Sequence, residues 1–232
     1  MENFKKWFEN YWYHYKWHTI VTIFFVTVAI IGITQMASKE SYDCNFVYAG
    51  PAILNKDQTE GIEAAFSAVM PKDYNEDGKK TLFINRFTIL SDEQILEKQE
   101  EAEAENDSLY YDPTQRTNVL SQISTIFSVG DASICLMDEY VYNIYRSQDA
   151  FISLEEVLGY KPEYARDNTS VYLKDTPFAQ YFDALDVLPE DTILCIRKTA
   201  VFSDKSKKKA NAQYAFEQDF FRSIIEFEEP EL

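Results

Sequence analysis

The sharpest local motif in this chain of 232 residues is Asp73-Tyr74-Asn75-Glu76-Asp77-Gly78. Oxygen-bearing side chains at its first, third and fifth positions, with Gly at the sixth, match the opening half of a calcium-binding loop. Carboxylate and amide oxygens at that spacing replace water around a hard cation. The closing half is missing: Thr81 stands at the ninth position and Ile84 at the twelfth, so no bidentate carboxylate completes the shell. Asn, Asp and Gly also build tight turns by hydrogen-bonding their own backbone. Asp73, Asn75 and Asp77 are read first as a structural turn and second as a weak Ca2+ site, and no other cofactor is expected.

A second constellation depends on the fold to assemble it. In open α/β sheets, ligands sit outside the carboxyl ends of the strands. Three segments should converge there: Tyr48-Ala49-Gly50-Pro51, Asn85-Arg86 and Asp138-Glu139-Tyr140. An arginine and acidic groups beside aromatic rings could hold a small polar solute. Each also has a plainer role, since Asp138 can cap the helix that follows it and Arg86 can pair with Asp138.

Composition removes most other chemistry. The two histidines, His14 and His18, lie near the N-terminus, so the remaining chain has no His triad, Cys–His pair or His-ligated zinc. Their i, i+4 spacing lacks a third ligand. The six glycines are scattered singly at 32, 50, 61, 78, 130 and 159, so no Gly-rich loop cradles a phosphate. Cys44, Cys135 and Cys195 sit in the apolar runs CNFVY, SICLM and TILCI, which suits buried thiols. A net charge of −17 repels phosphate backbones and excludes nucleic acid as a partner. The expectation is a non-enzyme, with carboxylate-only hydrolysis as the weakest alternative.

These residues need elements to position them. Residues 19–37 (TIVTIFFVTVAIIGITQMA) are uncharged and mostly apolar, long enough to cross a bilayer core of about 30 Å. Lys5, Lys6 and Lys16 precede the run and Lys39 follows, which predicts a signal anchor with a cytoplasmic N-terminus and residues 38–232 outside the cell membrane. Residues 1–18 hold all three tryptophans, Trp7, Trp12 and Trp17, among five other aromatics. They read as an aromatic belt at the membrane interface or, alternatively, as a docking helix for a membrane partner.

Beyond the anchor, strands are expected over 42–49, 81–90, 131–137 and 192–197, the last extended by Val201-Phe202. Helices are expected from capping boxes at Asp57-x-x-Glu60, Ser91-x-x-Gln94 and Ser153-x-x-Glu156, from Asp112-Pro113 and Thr176-Pro177, and after Asp138. The acidic stretch over about 97–108 has little to bury, and Lys205, Lys207, Lys208 and Lys209 read as a basic turn before a last helix. Alternating strands and helices predict an α/β fold. The expected form is one three-layer domain with a mostly parallel sheet of about four or five strands.

The stretch Ser128-Val-Gly-Asp-Ala-Ser-Ile-Cys-Leu-Met-Asp-Glu-Tyr140 resembles the helix, Gly-Asp, strand, Asp-Glu step of extracellular solute-binding proteins of the periplasmic-binding-protein-like fold. Phe151-Ile-Ser-Leu-Glu-Glu-Val-Leu158 resembles the short helical segment after that step, and YDCNFVYAG fits its opening strand. Ser133 stands where the family pattern has a second Asp, and the chain is short for two lobes. The resemblance spans residues 42–227 and implies a tethered solute-binding-like domain with one lobe reduced, accessory to a transporter, binding a small polar solute. The alternative is a single-pass interaction or assembly protein with no small-molecule ligand.

Overall fold

The computed structural model describes residues 2–37, 41–104, 113–199 and 207–230. The chain divides into two units, residues 1–41 and 42–232. The first is one continuous helix, α1 (Glu2–Ala37), about 54 Å long at 1.5 Å per residue. It is long and apolar enough to cross a membrane. The aromatic leader belongs to this same helix. Trp7 stacks on Tyr11 and Tyr11 on Tyr15, with ring centroids 5.7 and 5.5 Å apart, and Phe8 stacks on Trp12 at 6.1 Å. These i, i+4 contacts line rings along one helix face.

The second unit is a mixed α/β domain on a five-stranded sheet: β1 (Cys44–Gly50), β2 (Leu82–Thr88), β3 (Ile134–Met137), β4 (Ser170–Tyr172) and β5 (Ile193–Ile196). Their order is β2-β1-β3-β5-β4. β1 pairs parallel with β2 and β3, whereas β5 pairs antiparallel with β3 and β4. Four strands thus share a direction and β5 alone runs against them.

The interior strands β1, β3 and β5 are buried on both faces, as strands covered by helices must be, whereas the edge strand β2 alternates between buried and exposed positions. Phe46, Tyr48, Leu136 and Leu194 join one core with α2 (Lys56–Ala68), α6 (Leu154–Leu158), α7 (Pro177–Tyr181) and α8 (Lys207–Ile225). Val47, Ala49, Met137 and Cys195 join a second core with α4 (Pro113–Val129) and α5 (Glu139–Ser147). All three thiols are free and buried.

Several local signals act where the sequence places them. Ser91 and Gln94 form a reciprocal capping box that opens α3 (Asp92–Ala104). Ser153 caps α6, Thr176 caps α7, and Gly130 and Gly159 take the left-handed backbone that ends α4 and α6. Others differ. The first domain helix is capped by Asn55 and Gln58 rather than Asp57 and Glu60, because the Asn55 and Gln58 side chains each reach the other's backbone N–H. Strand β4 has no counterpart among the expected strands. Lys207, Lys208 and Lys209 lie in α8 rather than in a turn, consistent with the good helix propensity of lysine. Asp112, Val201, Phe202, Lys205 and residues 105–108 lie outside the described residues.

Candidate functional site

The sheet order reverses between β2-β1 and β3, so a crevice is expected where the carboxyl ends of β1 and β3 diverge. The backbone N–H of Asp138 donates to the Ala49 carbonyl at 2.8 Å and closes the base of this opening. Tyr48 is 2% exposed, and its hydroxyl accepts the N–H of Ala52 at 3.0 Å. Burial pushes this phenol up to about 12. A Cβ on Gly50 would stand 2.9 Å from the same hydroxyl, so only glycine lets the strand end over that ring.

Asp138 caps α5 through Oδ1, which accepts the N–H of Tyr140 at 2.8 Å. Its Oδ2 accepts Nε2 of Gln94 at 2.9 Å. Burial raises the Asp138 carboxyl above its usual range, against the two hydrogen bonds, and the nearby charges of Asp191 and Glu139 add to the rise. The structure therefore brings Tyr48, Gly50 and Asp138 together, with Gln94 as an added partner.

The remaining predicted residues turn elsewhere. Arg86 lies opposite Tyr48 in register, yet its Nη1 donates to the Leu54 carbonyl at 3.0 Å and to Thr59 Oγ1 at 2.8 Å, tying β2 to the start of α2. Asn85 donates to the Phe46 carbonyl at 3.1 Å. Glu139 pairs with Arg166, and the guanidinium of Arg116 lies 5.3 Å from the centroid of the Tyr140 ring. The crevice is thus filled by the protein's own hydrogen bonds.

Sequence reasoning missed the network beside it. Asp167 accepts from Tyr142, from Ser170 and from the N–H of Thr169, and it pairs with Arg166 at 3.0 Å. Burial alone would raise the Asp167 carboxyl, but these donors outweigh it and hold the group below its usual value. The Arg166 guanidinium sits 5.0 Å from the centroid of the Tyr142 ring.

At the Asp73–Gly78 loop the oxygens face their own backbone. Asp73 accepts from Glu76 and Gly78 at 2.7 Å, Asn75 accepts from Asp77 at 2.9 Å, and Asp77 accepts from Lys79 at 2.9 Å. Glu76 and Gly78 take positive φ, as tight turns of this kind demand. The loop is held from outside by Asp43, a residue 1% exposed. Its carboxylate accepts the N–H groups of Tyr74, Asn75 and Thr81 at 2.6, 2.9 and 2.8 Å. Among the described residues no group of three or more His, Cys, Asp or Glu is arranged to hold a metal ion.

No family model, curated protein or solved structure matches this chain.

A cavity of about 400 Å3 opens in the domain among residues of α4, the end of α5 and the segment after β5. Phe127, Tyr145 and Ala150 supply its apolar walls, and Ser128, Arg197 and Lys198 are among its polar ones. No candidate residue was placed here from sequence.

Proposed function

We propose that this is a single-pass membrane protein whose α1 crosses the bilayer with its N-terminus in the cytoplasm. Residues 38–232 then stand outside as a tethered, three-layer, solute-binding-like domain of one lobe, accessory to a transporter. The observation that carries this reading is the β2-β1-β3 strand order, a switch-point sheet with helices packed on its strands, sequence-linked to a helix of membrane-spanning length. The self-paired crevice argues against a solute between β1 and β3. It favours either a site elsewhere in the domain or the second reading, an interaction protein with no small ligand. The exposed ring stacks of α1 favour that second reading as well.

Two measurements test the proposal. Protease added outside intact cells should degrade the domain and leave an N-terminal fragment. Full protection of the domain would overturn the orientation. A metabolite screen by thermal shift on the purified protein should find a stabilising solute, because a ligand bound only by the folded state raises stability. No shift, together with a membrane partner recovered by crosslinking, would replace the first reading with the second.

A further inference from the structure

The chain that leaves α8 packs on α7. Phe227, just past the end of α8, lies against Phe178 and Phe182, with ring centroids 5.7 Å from each. Tyr181 stands 5.2 Å from the Phe227 ring at an angle of 48° and meets Phe182 edge-on at 4.9 Å. Phe178 is fully buried, so the cluster is anchored in the core, while Tyr181 is exposed and Phe227 half-buried. The two inclined rings line a cavity of about 390 Å3 together with Pro177, Gln180 and Glu229. That volume is within the range of small-molecule sites.

None of these lining residues is a cation. Pro177 has no N–H to donate. Gln180 gives its Nε2 to the Lys174 carbonyl at 3.5 Å, which leaves Oε1 as an acceptor. The ammonium of Lys174 is itself turned to Asp186 at 2.8 Å. Arg222, in the last turn of α8, is held by Asp219 at 3.0 Å and by the Val157 carbonyl at 2.7 Å. Glu229 is exposed and has no ion pair among the described residues, and Glu228 precedes it. Aromatic faces attract cations through the ring quadrupole, and a carboxylate beside them supplies a full opposite charge. The net charge of −17 further concentrates cations at the surface.

We propose that this cavity binds a small organic cation of the alkylated-ammonium class, its methyl groups against Tyr181 and Phe227 and its charge answered by Glu229. The inference rests on the solute-binding reading and gives it a ligand class and a place. That place is distinct from the crevice at the ends of β1 and β3.

The test is a calorimetric titration of the full-length protein in a maltoside detergent with choline, alongside its uncharged isostere dimethylbutanol. Choline should bind in the high micromolar to millimolar range, at least tenfold more tightly than the isostere. Glu229→Gln should weaken choline binding severalfold. Tyr181→Leu keeps an apolar wall but removes the π face and should weaken it at least tenfold, whereas Tyr181→Phe should retain it. Circular dichroism checks that the variants fold. Failure of both choline and tetramethylammonium to bind at 10 mM would overturn the inference. So would equal binding of choline and its isostere. Choline binding unchanged by both Glu229→Gln and Tyr181→Leu would be the general attraction of an acidic protein and would overturn it too. If other solutes still stabilise the protein in those cases, the solute-binding reading stands without this site. If none does, both fall.

Discussion

The hydroxyl of Tyr48 lies 2.9 Å from the point where a Cβ on Gly50 would stand, and the ring carbon bearing it lies at 3.2 Å. The two residues are on one strand, and the ring folds along its own backbone to accept the Ala52 N–H. This contact, with the Gln94–Asp138 bond, closes the opening between β1 and β3. Gly50→Ala should therefore destabilise the domain by about 1–3 kcal/mol through overpacking. Tyr48→Phe alone should cost about 1 kcal/mol for the lost acceptor. The double variant should be more stable than the sum of the two predicts, because removing the hydroxyl relieves the nearest clash. Urea denaturation of the four proteins measures the coupling, and strict additivity would sink the steric account.

Asp43 holds three backbone N–H groups, two from the 73–78 loop and one from Thr81, just before β2. Asp43→Ala leaves these buried donors without an acceptor, so a loss of about 2–4 kcal/mol is expected. Asp43→Asn keeps one carbonyl oxygen and should fall between the two. Hydrogen exchange should speed up at Tyr74, Asn75 and Thr81 before it does so within β2. A uniform change across the domain would argue against a local hub.

What could be read from sequence were devices that act within four residues. The Ser91–Gln94 box, the Thr176-Pro177 start and the left-handed Gly130 and Gly159 stops depend on adjacent backbone alone. Asn55 against Asp57 shows the limit, since Asn55-x-x-Gln58 and Asp57-x-x-Glu60 both have capping-box spacing and the structure forms the first. The direction of β5 is a tertiary choice, and the three residues of β4 gain strand character by pairing with it and bridging to Ala165. Asp43 acts across 31 to 38 residues and Arg197 across 65, separations that no local pattern encodes. The crevice residues were identified by type, but their partners Gln94, Arg116 and Arg166 decide where they point.

Glu217, on α8, is 2% exposed and accepts Nε2 of Gln213 at 3.2 Å. Burial raises its carboxyl above the usual range, although hydrogen bonds and the charge of Arg197 pull the other way. The folded state then holds this proton more tightly than the unfolded state. Stability should be highest below the unfolded value and fall as pH rises from about 4.5 toward the folded value. The slope from this one group is at most about 1.4 kcal/mol per pH unit. Glu217→Gln keeps an acceptor for Gln213 and removes the ionisation. It should flatten that part of the profile and raise stability near pH 7 relative to wild type. Thermal melts at intervals between pH 4 and 8 read the effect, and parallel curves for both proteins would refute it.

Cys135 and Cys195 face each other in register on β3 and β5. The Arg197 N–H donates to the Ser133 carbonyl at 2.9 Å, two residues along, which makes the cysteine pair one of the hydrogen-bonded kind. In a pair of this kind the opposed Cβ atoms stand toward the wide end of about 4.5–5.5 Å, beyond the roughly 3.8 Å that a disulfide prefers. Burial also pushes the thiols of Cys44 and Cys195 upward, so little thiolate forms. All three thiols should resist Ellman's reagent in the native protein and react together once it is unfolded. A non-reducing mass measurement showing two hydrogens lost would contradict this.

Every tryptophan of the chain lies on α1, so tryptophan emission reports on that helix alone. Trp7 and Trp17 are separated by about 15 Å along a straight helix of 1.5 Å rise. If α1 stands upright through the bilayer, Trp17 sits at the headgroup layer and Trp7 about that much farther into water. If the leader instead lies in the interface, both sit at similar depth. Single-tryptophan proteins, made with Phe at the other two positions and placed in vesicles of lipid brominated near the headgroup, separate the cases. The continuous helix predicts strong quenching and blue-shifted emission at Trp17, with weak quenching and redder emission at Trp7. Equal quenching at both would mean that the helix breaks near residue 18 in the membrane. Its ring stacks would then face lipid rather than a partner.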